Sequence, residues 1–210
     1  NADSVDVLLG NYNGIPSRPI TVLQGIKDAV GSDVEVVYAQ GSELVNGFFD
    51  ADNPELVTPE FKTGRGNDAV KGLKVQYFNN TGMQGTPVYE RIETAIDHRW
   101  ELGSPTDTEV AQGIVSRDKA VNIDNFSARW TGTIVGPADP STKLVVCSDD
   151  GVRVYIDNTL MLEDWTGHAT QYYEIDTKMT PGEVHDIRIE YYEGEVTARF
   201  ALGWKSPAKD

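Results

Sequence analysis

Asp149 and Asp150 stand between Ser148 and Gly151 and put two carboxylates at one turn, the sharpest chemical signal in the chain. The simplest reading of Asp-Asp-Gly is a turn between strands whose carboxylates cap backbone N–H groups. Trp165 follows Asp164 and opens the polar run Thr166-Gly167-His168. An indole exposed on such a loop can stack on the apolar face of a pyranose, contributing on the order of 1 kcal/mol, whereas a buried one is simply core. His98, His168 and His185 share no metal-ligand spacing and read as surface or hydrogen-bonded histidines. Cys147 lies in an apolar run, which makes it a buried small hydrophobe rather than a nucleophile. As the single cysteine it also excludes an internal disulfide and a cysteine-cage zinc site. No Gly-x-Ser-x-Gly elbow is present.

The elements that must hold these groups follow from composition and periodicity. The 210 residues carry 18 Lys+Arg against 33 Asp+Glu, a net charge of −15. That field repels phosphate backbones and anionic headgroups, so nucleic acid and membrane surfaces are excluded as partners. A hydrophobic fraction of 39% is enough to fill a core. Residues 1–45 read as a partial α/β segment. Val5–Leu9 and Val34–Tyr38 are strands, and between them Thr21 caps a helix carrying Val22, Leu23, Ile26, Ala29 and Val30 up to Gly31. A parallel strand pair needs cover on both faces, so this segment reads as the edge of a larger sheet. Residues 46–71 lose periodicity and read as a connector. Within them, Gly64-Arg65-Gly66-Asn67-Asp68-Ala69 matches a dinucleotide fingerprint without the strand and helix that would give it meaning. From 72 to 207 the pattern is mainly β. Eight alternating runs (Leu73–Phe78, Phe126–Ile134, Leu144–Cys147, Val152–Ile156, Thr159–Leu162, Gln171–Ile175, Val184–Tyr192 and Thr197–Trp204) are separated by turn signals, predicting an antiparallel β-sandwich. Trp130 and Trp204, inside such runs, are expected in its core. Trp100 heads an irregular excursion over 101–121, as a cap on the sandwich end or as part of a rim.

Ordered motifs carry a resemblance. Gly72-Leu73-Lys74-Val75-Gln76-Tyr77-Phe78, Asp124-Asn125-Phe126-Ser127-Ala128-Arg129-Trp130-Thr131-Gly132, Ser148-Asp149-Asp150-Gly151-Val152-Arg153-Val154-Tyr155-Ile156 and Ile187-Arg188-Ile189-Glu190-Tyr191-Tyr192-Glu193 resemble the PA-14 β-sandwich. The head, with Leu9-Gly10-Asn11-Tyr12-Asn13-Gly14 and Tyr38-Ala39-Gln40-Gly41, is similar to the α/β-sandwich domain of glycoside hydrolase family three, into which PA-14 domains are inserted. The resemblance implies a fragment of a secreted or periplasmic β-glucosidase-type enzyme, with the PA-14 part as a lobe shaping the active-site mouth. Its partners would be a β-linked saccharide and the remainder of the parent hydrolase. Retaining hydrolysis needs two carboxylates about 5–5.5 Å apart. In family three these come from outside the stretch resembled here, so no catalytic residue is assigned and this chain alone is expected to be inactive. In PA-14 adhesins an adjacent aspartate pair joined by a cis peptide holds calcium, which in turn holds sugar hydroxyls. This implies Asp149 and Asp150 as calcium ligands and Asp149, Asp150, Trp165 and His168 as sugar contacts. Hard carboxylate oxygens suit calcium. The plain turn stands as the alternative, and no cofactor is required. A calcium-dependent binding module and a purely structural lobe are the rival readings of the whole.

Overall fold

The computed structural model describes residues 20–31, 34, 36–37 and 56–205. They belong to two units, Asn1–Phe48 and Phe49–Asp210. In the first, helix α1 (Val22–Val30) starts where the sequence places it: Thr21 Oγ1 accepts a hydrogen bond from Gln24 N at 3.1 Å, and Gly31 closes the helix at φ 70°. Val22, Ile26 and Val30 recur every four residues and are all exposed, an apolar stripe along one face. The strand expected over Val34–Tyr38 is not found at its described positions: Val34, Val36 and Val37 lie in no strand. Strands are held by hydrogen-bonded neighbours, and among the described residues none runs beside this one. Val5–Leu9 lies outside the described residues.

The second unit is a sandwich of two antiparallel sheets. All eight strands read from alternation are present: β4 (Leu73–Phe78), β7 (Phe126–Val135), β8 (Lys143–Asp149), β9 (Val152–Ile156), β10 (Thr159–Asp164), β11 (Gln171–Ile175), β12 (Val184–Glu193) and β13 (Ala198–Lys205). Three short strands lie in the stretch read as a connector: β1 (Leu56–Val57), β2 (Phe61–Thr63) and β3 (Val70–Lys71). The described part of that stretch therefore contributes short strands to both sheets. β1 pairs with β13, β2 with β7 and β3, and Phe61 is fully buried. Runs of two or three residues are too short to show a period. Two further strands, β5 (Tyr89–Glu93) and β6 (Ile96–Glu101), complete the sheets. The larger sheet runs β10-β9-β12-β7-β2-β3, with β4 also on β7 and β5 on β4; the smaller runs β1-β13-β8-β11, with β6 also on β13.

The inner faces meet around Trp130, Tyr77, Tyr191, Phe126 and Phe200, all fully buried, and Trp204 joins them as expected. Trp100 is half-buried against this core, edge-on to Tyr77 and stacked on His98 at 4.5 Å, and so acts as the cap. The core also contains a carboxylate. Glu93 Oε1 accepts from Tyr77 Oη at 2.9 Å and Arg91 Nε at 2.6 Å, while Oε2 accepts from Trp130 Nε1 at 2.7 Å and lies 2.8 Å from His98 Nε2. Burial would raise this carboxyl, but the His98, Arg91 and Trp130 donors outweigh it and hold the group at about 2. Arg91 also binds Glu109, in helix α2 (Asp107–Ala111), and the Pro105 carbonyl, which ties the excursion after β6 to the core. Cys147 is buried on the outer side of the smaller sheet with Val145 and Ala201 under Tyr172, and burial pushes its thiol up.

Candidate functional site

β8 ends at Asp149 and β9 begins at Val152, so Asp149, Asp150 and Gly151 form the connection between strands of opposite sheets. The Asp149–Asp150 peptide bond is cis. Asp149 Oδ2 accepts from Thr170 Oγ1 at 2.9 Å and Thr197 Oγ1 at 3.3 Å, and its main-chain oxygen accepts from Tyr191 Oη at 2.5 Å. Asp150 Oδ1 accepts from His168 N at 2.7 Å and Oδ2 from Gly194 N at 2.8 Å. The turn reading is thus fulfilled in part, since Asp150 ties the 165–170 loop to the 194–197 loop by capping one N–H of each.

Capping does not account for the third carboxylate. Inward positions of β12 are Ile187, Ile189, Tyr191 and Glu193, because side chains alternate along a strand. Glu193 therefore projects into the sandwich end, with no measurable exposure. One ligand oxygen from each of Asp149, Asp150 and Glu193 lies within 4.8 Å of the others. Glu193 Oε2 accepts from Tyr191 Oη at 3.3 Å, and Oε1 is buried without a hydrogen-bond partner. Burial first, and then the charges of Asp150 and Asp149, push the Glu193 carboxyl up to about 8. Burial also raises Asp149, against the Thr170 hydrogen bond.

Three clustered carboxylates, one with an orphan buried oxygen, suit a hard cation. Calcium fits this all-oxygen donor set; zinc, which favours nitrogen and sulfur, does not. Asp149, Asp150 and Glu193 would hold it.

Trp165 and His168 both border this cluster, in different ways. Arg153 lies over the Trp165 indole at 4.2 Å from its centroid, and Tyr192 packs against it at 4.8 Å and 60°. The indole is half-buried outside the core, beside the loop that Asp150 holds. His168 reaches Asp150 through its main chain only. Its ring contacts the Ala169 carbonyl at 2.9 Å and Tyr173 Oη at 3.3 Å, within a group that includes Asp164. Glu193, Thr170, Thr197 and Tyr191 were not singled out as site residues from sequence. For Glu193 the signal was available, as a carboxylate at an inward position of a strand.

Gly151 sets the position of Tyr192. A Cβ there would lie 2.2 Å from Tyr192 Cε1. Gly151→Ala should cost about 1–3 kcal/mol by overpacking and displace the Tyr192 ring from Trp165. A drop in thermal midpoint together with altered tryptophan fluorescence would show both effects; an unchanged emission spectrum would mean that Tyr192 does not move.

The two sheets and the acidic cluster at their end define a β-sandwich with three carboxylates gathered at one tip. A family model for the PA14 domain matches residues 69–210, and the chain belongs to that family. The anti-sigma-I factor RsgI3 of Acetivibrio thermocellus is 27% identical over 143 residues, 68% of this chain and 20% of that protein. The xylan 1,4-beta-xylosidase of Xylanibacter ruminicola is 25% identical over 193 residues, 91% of this chain and 20% of that protein. The β-glucosidase from Kluyveromyces marxianus, solved in complex with glucose, shares the fold at a TM-score of 0.51 and 13% identity, over 90% of this chain and 23% of its own. The chain spans about a fifth of the length of the curated relatives it matches. No helix among the described residues is long and apolar enough to cross a membrane.

Proposed function

We propose that the sandwich is a calcium-dependent carbohydrate-binding lobe in a secreted or periplasmic β-glycosidase of the family-three type, placed to shape the mouth of the active site. The carrying observation is the Asp149–Asp150–Glu193 cluster, with its unpartnered Glu193 Oε1. Calcium bound there would supply the compensating charge and open positions for vicinal sugar hydroxyls. Thr170 and Thr197 fix the Asp149 carboxylate, the main chains of His168 and Gly194 fix that of Asp150, and Tyr191 links Asp149 to Glu193. Trp165 and Tyr192 form the aromatic wall beside Asp150, and the apolar face of a pyranose would lie against them. The hydrolytic carboxylates of this reading belong to the remainder of the parent enzyme, so a lobe of this kind acts by steric selection and remote contacts.

The enzyme context is supported by the xylosidase match, which reaches well upstream of the sandwich, whereas the anti-sigma factor match has about the sandwich's own length. That second match favours one alternative, a sugar-binding module outside any hydrolase. Calorimetric titration of the chain with calcium, then with neutral β-linked disaccharides in calcium or EDTA, tests the site. Asp150→Asn is expected to weaken calcium binding by more than about tenfold through lost ligand charge and to abolish sugar binding. Absence of calcium binding at millimolar concentration would remove the proposal. Hydrolysis of aryl β-glycosides by the parent, with substrate preference altered by Trp165→Ala, separates the enzyme lobe from the free-standing module.

A further inference from the structure

The outer face of the larger sheet carries a second constructed site, on the opposite side of that sheet from Glu193. Arg129, Arg153 and Arg188 converge on Glu190, which is buried although it points outward. Arg129 Nε lies 3.2 Å and Arg188 Nη1 2.5 Å from Glu190 Oε1, with Arg153 Nη1 3.9 Å from Oε2; Arg153 is also paired with Glu163 at 2.8 Å. Arg129, Arg153 and Arg188 face Glu190 and Glu163, and Arg65 lies by Asp186 and Asp157, so the charges on this face balance. The Arg188 guanidinium also stacks on the Tyr155 ring at 3.6 Å. Held from two sides, it is pre-organised and still has N–H donors to spare.

Beside it is a depression of about 250 Å³ lined by Thr131, Gly132, Tyr155, Asn158, Asp186 and Arg188, with Ile187 at its base. Among the described residues the side chains of Thr131, Tyr155 and Asn158 make no hydrogen bond, while Asp186 is balanced by Arg65 at 2.6 Å. Tyr155 lies three residues along β9 from Val152, roughly 10 Å at strand rise, and on the opposite face of the sheet from the inward-facing Glu193. The depression is therefore a separate place, independent of calcium.

We infer that this depression binds one acidic monosaccharide unit, a uronate, with its carboxylate on Arg188 and its hydroxyls on Thr131, Asn158 and Asp186. A guanidinium with unused N–H groups matches a carboxylate bidentately. The volume suits a single sugar ring, and the spare Arg188 N–H donors, which pair best with a carboxylate, favour an acidic sugar over a neutral one.

Titration of the chain in EDTA with glucuronate, galacturonate, glucose and a short polyaspartate peptide, followed by NMR shifts, decides the matter. The expected result is uronate binding at least tenfold tighter than glucose, weakened by raising the salt from 50 to 500 mM and unchanged in Asp150→Asn. Arg188→Gln should lose at least tenfold. Asn158→Gly, at an exposed turn with φ 63° where glycine is at ease, should lose severalfold with the fold intact. Equal binding of glucose and glucuronate, no uronate binding, indifference to both variants, or tighter binding of the peptide would each overturn the inference. Failure of calcium-dependent binding at Asp150 would leave it standing.

Discussion

Glu93→Leu should be among the most destabilising single substitutions in the sandwich, at about 3–5 kcal/mol, the usual cost of removing one partner from a buried charged network. That is a large share of a typical domain stability of about 5–15 kcal/mol, and at this size corresponds to a midpoint lowered by roughly 6–20 °C. Leucine fills the space but leaves the Trp130 and Tyr77 donors buried without an acceptor and Arg91 without its inner partner. Glu93→Gln should also fail to restore stability, because both carboxylate oxygens of Glu93 face donors and an amide must turn its NH2 towards one pair of them. The same group sets the acid limit of the fold. Its folded value of about 2 lies below the usual glutamate value near 4.5, so its stabilisation is complete above about 4.5 and is lost as pH falls from there towards 2. Urea denaturation of wild type and both variants across that range measures all of this. A Glu93→Leu loss under about 1 kcal/mol, the size of an ordinary hydrogen bond, would mean that the network is replaceable.

Glu93 also shows where sequence reading stops. The eight strands found from alternation face mostly apolar residues inward, as the pleat requires, with Glu193 at the end of β12 an exception. β5 inverts that rule: Arg91 and Glu93 face inward with Tyr89, while Ile92 is exposed. A run of that kind looks like a loop until the donors from β4, β6 and β7 are known, and those come together only in the folded chain. β1, β2 and β3 escaped for another reason, since each is two or three residues long and borrows its order from a neighbour: β1 from β13, β2 from β7 and β3 from β2. At the candidate site, Asp149 and Asp150 were visible because they are neighbours in sequence. Glu193 enters from a different strand, and the hydroxyls of Thr170 and Thr197 from two loops, so no spacing rule links them. Trp165 reads from sequence as a sugar contact or as core; the structure places it outside the core, between Arg153 and Tyr192. Such a position depends on which residues the register of β9 and β12 places side by side.

The acidic cluster predicts a basic limit to stability that calcium should remove. Without a cation, burial and the neighbouring aspartates push the folded Glu193 carboxyl up to about 8, against the usual glutamate value near 4.5. Between these values the folded chain holds a proton that the unfolded chain has released, so the stability of the calcium-free domain falls as pH rises from about 4.5 to about 8. With the Glu93 limb falling on the acid side, the calcium-free midpoint should peak near pH 4.5–5 rather than at neutrality. Calcium at a hundred times its dissociation constant adds about 2.7 kcal/mol, or roughly 5–11 °C at this size. Because the ion competes with the proton on Glu193, the gain should be small at pH 5 and full at pH 8. Glu193→Gln removes the titrating group, so it should flatten the basic limb in EDTA and at the same time lose most of the calcium-induced shift. Scanning calorimetry of both proteins at pH 5, 6.5 and 8, in EDTA and in calcium, gives the four curves needed. A calcium shift that does not depend on pH, or one that survives in Glu193→Gln, would place the ion elsewhere and leave Glu193 a strained core acid held by Tyr191 alone.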